Sequence, residues 1–182
     1  SNGNITAVET QSLGNNLEHD TVHGQYNSLV QVNSTTIALA YEGKDRDGFI
    51  STFTIDSDTA AITAVKTQSL GNNLEYDEVR GIHNSLVQVD SDTIALAYTG
   101  FDANGFISTF TISSDGSSIV EVDTLEHDTV KGQYNSLVHV DSDTYALAYA
   151  GNGDNGFIST FTIDSNGNIT AVETQSLGNN LE

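Results

Sequence analysis

The chain has 182 residues, with 25 Asp and Glu against 5 Lys and Arg, a formal charge of −20, and no Cys, Met, Pro or Trp. Disulfides, thiolate metal sites and a cysteine nucleophile are therefore excluded, and so few cations leave no basic surface for nucleic acid or anionic lipid. No apolar stretch approaches the roughly 20 residues that span a bilayer, so membrane insertion is not expected.

The first segment, residues 1–18, recurs unchanged at 165–182. With the missing Met, this suggests a window cut from a longer, duplicated array. Within it, residues 5–13 read as a surplus copy of an outer strand. Residues 27–32 form a short apolar run bounded by turn residues, and 36–41 form a second. A Gly/Asp-rich turn follows over 42–48. Residues 49–55 alternate, with Phe49, Ser51, Phe53 and Ile55 against Ile50, Thr52 and Thr54, and 62–67 complete the set. Four such runs joined by short turns predict an antiparallel meander, and no segment shows a helical period.

The pattern then repeats. GFISTFTI begins at Gly48, Gly105 and Gly156; NSLV begins at Asn27, Asn84 and Asn135; ALAY begins at Ala38, Ala95 and Ala146. All three markers are offset by 57 and then 51 residues. The difference is the string QSLGNN at 68–73, a removable surface excursion by its spacing. The expected organisation is an extra outer-strand segment at 1–18, then units at 19–73, 74–124 and 125–182.

The second strand of each unit is apolar on both faces, one large and one small. Ile37, Leu39 and Tyr41 oppose Ala38 and Ala40; Ile94, Leu96 and Tyr98 oppose Ala95 and Ala97; Tyr145, Leu147 and Tyr149 oppose Ala146 and Ala148. A sheet covered on one side would alternate apolar with polar. Two apolar faces fit a sheet held between two others, bulky residues against alanines.

On the NSLVQVDSDTxALAYxG…DGFISTFTI pattern and its four-strand period, the chain resembles the highly repetitive β-propellers of large secreted or surface microbial proteins. The resemblance covers all three repeats and implies an all-β fold, a β-propeller of four-stranded antiparallel blades, three blades per chain. The WD40 and kelch marks are absent. The rivals are a β-solenoid, whose coils are shorter, and tandem β-sandwiches, whose domains are longer. Three blades do not close a ring, so a homodimer completing a six-bladed ring is expected, strengthened by salt or Ca²⁺.

Three sets of residues stand out. The turns between second and third strands hold Asp45 and Asp47, Asp102 and Asn104, and Asp154 and Asn155. Their oxygens suit Ca²⁺, yet Asp-Gly and Asn-Gly are also ordinary hairpin turns, and Gly153 breaks the spacing in the third copy. Asn27 and Ser28, Asn84 and Ser85, and Asn135 and Ser136 begin the strands expected at the channel rim. They could bind a polar ligand or satisfy backbone. The linkers bring Glu18, His19, Asp20 and His23 together, but Arg80 and Lys131 replace His23, which argues against a metal common to the blades. The recurring Glu-x-Asp suits backbone hydrogen bonding in the turn.

Because these loops are near copies, a single asymmetric catalytic centre is not expected. The expected role is a non-catalytic extracellular or cell-surface module for adhesion or ligand display, with glycans or surface polymers as partners. The alternatives are a multivalent glycan-binding lectin and a propeller hydrolase.

Overall fold

A computed structural model describes residue 8 and residues 17–176. Apart from Val8, the surplus strand expected at 5–13 lies outside the described residues. The strands are β1 (Gln25–Gln31), β2 (Thr36–Glu42), β3 (Gly48–Ile55), β4 (Ile62–Lys66) and β5 (Leu74–Asp77). Next come β6 (Ile82–Gln88), β7 (Thr93–Thr99), β8 (Gly105–Ile112) and β9 (Ile119–Asp128). The last are β10 (Gln133–Asp141), β11 (Thr144–Ala150), β12 (Gly156–Ile163) and β13 (Ile169–Ser176). Helix among the described residues is confined to single 3-10 turns, none long or apolar enough to cross a membrane.

The strands form three antiparallel meanders, ordered β1-β2-β3-β4, β6-β7-β8-β9 and β10-β11-β12-β13. β5 pairs with β3, continuing the outer edge of the first sheet below β4. Residues 68–73 are thus a loop extruded from one outer strand; its counterpart β9 runs unbroken. This places Leu74–Asp77 and the equivalent end of β9 in the sheet of the preceding blade, although their sequence position suggests the start of the next.

The sheets stack face to face with β6 between β1 and β10 at the inner edge. The small face of each blade meets the large face of the next. Ala38, Ala40 and Ile50 share one core with Ile94, Leu96, Tyr98 and Phe110. Ala95, Ala97 and Ile107 share the next with Tyr145, Leu147, Tyr149 and Phe161. Each fully buried Ile, Leu or Phe contributes about 1.5–3 kcal/mol, and the alanines let the sheets approach closely enough to exclude water. This is the β-propeller architecture, three blades per chain.

Polar bonds repeat at both joints. The Leu86 N–H donates to Ser28 Oγ at 2.9 Å, and the Leu137 N–H donates to Ser85 Oγ at 2.9 Å. Thr52 Oγ1 donates to the Gly116 carbonyl at 2.7 Å and Thr109 Oγ1 to the Gly167 carbonyl at 2.6 Å. Each linker returns from the outer edge to the next inner strand across the start of the third strand. There Gly81 lies on Gly48 and Gly132 on Gly105, so closely that a Cβ would strike backbone.

Candidate functional site at the inner edge

The linkers, the β2–β3, β7–β8 and β11–β12 turns and the first residues of β1, β6 and β10 all lie at one end of the sheets. The linker bend is set by one carboxylate per blade. Asp20 Oδ1 accepts from the Val22 and His23 N–H groups at 2.7 and 3.0 Å. Asp77 accepts from Val79 and Arg80 at 2.9 and 2.8 Å, and Asp128 from Val130 and Lys131 at 2.9 Å each. The Asp of each Glu-x-Asp therefore performs the backbone-binding role expected of it.

Beyond the bend, each inner strand opens with a bulge that shifts its register against the second strand. The bulged residue has positive φ in all three blades, although none is glycine: Tyr26 (50°), His83 (54°) and Tyr134 (56°). An aromatic residue in this region is strained by about 1–3 kcal/mol, and such strain concentrates at functional sites. The strain turns three rings toward one another. Tyr26 and His83 meet edge to face at 4.8 Å, and His83 and Tyr134 lie 4.3 Å apart. Tyr26 and Tyr134 are exposed, at 42% and 67%. The ladder thus presents tyrosines with a histidine between them.

The central rung has a defined tautomer. His83 Nδ1 lies 3.2 Å from Thr99 Oγ1, whose own proton goes to the Gly132 carbonyl. The hydroxyl must then accept from Nδ1–H, which leaves the lone pair on Nε2. Burial lowers the His83 pKa, and Arg80 and Arg46 lower it further against the opposing pull of Glu42. The ring is therefore a neutral base near pH 7.

A charged cluster in the first blade lies within electrostatic reach of this rung. Glu42 is buried (4% exposed), accepting from Arg46 Nε at 3.2 Å and lying 3.0 Å from His23 Nε2. The equivalents of Glu42 are Thr99 and Ala150; of Arg46, Ala103 and Asp154; of His23, Arg80 and Lys131; of His83, Tyr26 and Tyr134. The cluster is therefore unique to one blade junction. Sequence comparison exposes each substitution singly, but only the fold shows that they converge. Farther out, burial raises the pKa values of both Asp47 and Glu75; repulsion from Asp47 adds to the rise at Glu75, whereas at Asp47 the added rise comes from Asp45, Asp77 and Glu78 and Glu75 pulls the other way. In the next blade the pair becomes Asn104 Nδ2 donating to Glu126 Oε1 at 2.7 Å.

The other sequence candidates have different partners. Asp45 faces Lys44 at 3.4 Å, and Asp154 pairs with Lys131. Asp102 lies in the turn at φ 53°, and Asn155 ends the third turn, where Gly153 takes the left-handed position at φ 69°. Among the described residues no three His, Asp or Glu side chains converge as a metal site. Ser28 and Ser85 are spent between blades, and Ser136 holds the same place on the last blade. Asn27, Asn84 and Asn135 donate to Gly24, Gly81 and Gly132 carbonyls at 3.2, 3.1 and 3.4 Å, fastening the linker.

No protein-family model matches the chain, and comparison with curated proteins gives no match. Among solved structures, the chain is similar to a putative 6-phosphogluconolactonase from Bacteroides fragilis (18% identity, 84% of this chain and 42% of that one, TM-score 0.59). It is also similar to a periplasmic gluconolactonase from Pseudomonas aeruginosa (11%, 86% and 58%, TM-score 0.51). A hypothetical selenium-binding protein from Sulfolobus tokodaii matches comparably (9%, 79% and 39%, TM-score 0.56). The chain spans about two-fifths to three-fifths of these structures' lengths. At these identities the likeness is one of fold. It corrects the expectation of a non-enzyme: the fold is shared with proteins named as lactonases, and the loop that carries Glu42 and Arg46 is not an equivalent copy of its counterparts. The chain is, by architecture, a β-propeller.

Proposed function

We propose that the chain forms part of a propeller hydrolase acting on sugar-derived esters or lactones at the inner edge, with His83 as general base. The observation that supports this most is the blade-specific cluster around a neutral imidazole with a free Nε2 lone pair. In this reading Nε2 takes a proton from water, whose oxygen attacks the substrate carbonyl carbon. The tetrahedral oxyanion collapses, the carbonyl-to-alkoxy C–O bond breaks, and the imidazolium returns its proton to the leaving alkoxide. Arg46 and Arg80 supply positive potential for the oxyanion and the carboxylate product. Tyr26 and Tyr134 offer flat faces to a sugar ring.

A glycosidase reading is less well supported. Glycosidic cleavage needs two carboxyl groups about 5–9.5 Å apart flanking the bond, whereas Asp47 and Glu75 interact directly with each other. The gluconolactonase likeness agrees with ester chemistry. A panel of sugar lactones and neutral aryl esters, followed by acid release, tests the proposal; silence across the panel would reject it. Glycan binding without turnover is the second reading, favoured by the exposed tyrosines, and a glycan array distinguishes it.

A further inference from the structure

The two ends of the blade stack are complementary to each other. Within the chain, every joint sets a small face, with Ser, two Ala, Ile and Thr, against a large face with Leu, Ile or Tyr, Leu, Tyr and Phe. The third blade presents the same small face once more, as Ser136, Ala146, Ala148, Ile158 and Thr160, and no described sheet covers it. Ile158 is 39% exposed there. The first blade presents the matching large face. Leu29 is 62% exposed there; Tyr41 is buried beneath His19, and Leu39 and Phe53, themselves buried, floor an apolar groove with Leu17, His19, Ile37 and Ile62.

We propose that the small face of one chain docks on the large face of a second copy, and that two such joints close a six-bladed ring. The joint repeats contacts already made twice within each chain. Ser136 Oγ stands where Ser28 and Ser85 accept the Leu86 and Leu137 N–H groups, so its donor is Leu29 N–H of the second copy. Thr160 stands where Thr52 and Thr109 donate to a turn carbonyl. The joint also completes the ladder: Tyr134 of one copy comes beside the second copy's Tyr26, extending three rings to an unbroken circle. This assembly does not rest on the hydrolase proposal.

Sedimentation equilibrium of the full chain tests it. The expected mass is twice 19.4 kDa, with association tightening as salt rises through about 0.1 M, where the Debye length falls to about 10 Å. Ala148→Arg spoils only the small face and gives a monomer with unchanged strand circular dichroism. Leu29→Asp spoils only the large face. Mixing the two variants restores a dimer through the one intact pair of faces. A monomeric wild type, or a dimeric Ala148→Arg, would overturn the proposal, as would a mixture that stays monomeric.

Discussion

Tyr76 donates a hydrogen bond to Oδ1 of Asn84 at 2.6 Å, tying the outer strand of the first blade to the inner strand of the second. At the next junction His127 stands in place of Tyr76 and makes no such bond. Asn135 Oδ1 and both His127 ring nitrogens are buried without partners. Replacing His127 by Tyr should restore the bond and stabilise the fold by about 1–2 kcal/mol, about 3–6 °C in melting temperature for a chain of this length.

The same histidine predicts a pH dependence. Burial lowers its pKa from 6.5 to about 4. The folded state therefore binds its proton less readily than the unfolded state. Stability is fully present above pH 6.5 and falls as the pH drops toward 4, by at most on the order of 3 kcal/mol. Urea midpoints measured across that window should show the loss in wild type and a flatter profile in His127→Tyr.

Ser85 distinguishes ligand binding from blade fastening. Ser85→Ala leaves the Leu137 N–H without its acceptor at a buried joint. The expected cost is about 1–2 kcal/mol, read as a lower urea midpoint. Unchanged stability would show that the hydroxyl does not hold the joint.

Asp47→Asn reproduces the Asn104–Glu126 pair of the next blade. Both carboxyls of the present pair have raised pKa values, so the folded state holds protons that the unfolded state releases. Its contribution is favourable at acid pH and is lost as the pH rises through the raised values. The substitution should stabilise the chain at pH 7, by about half a kcal/mol given the solvent screening, and have little effect near pH 3. Thermal melts at the two pH values check the sign.

The blades were legible because each marker string occurs three times and the second strand is apolar on both faces. Ala38 and Ala40 against Leu39 and Tyr41 have no stable arrangement except between two sheets. The inner-edge site was not legible. Tyr26, His83 and Tyr134 align in sequence, but nothing in their spacing shows a positive φ or rings turned toward each other. Glu42 and His23 are 19 residues apart, and only the returning linker brings them together. Ser28 and Ser85 read as channel residues because position in a strand does not show which sheet lies opposite.

The rate–pH profile reads out whether His83 acts as the base. Tyr occupies the same backbone position in the flanking blades, so His83→Tyr should keep the fold. Wild type should hydrolyse a lactone or ester with an acid limb whose midpoint lies below pH 6.5, as burial requires. His83→Tyr should lose about 10²–10⁴-fold in rate with unchanged strand circular dichroism. A variant that retains the wild-type rate and acid limb would show that His83 is not the base.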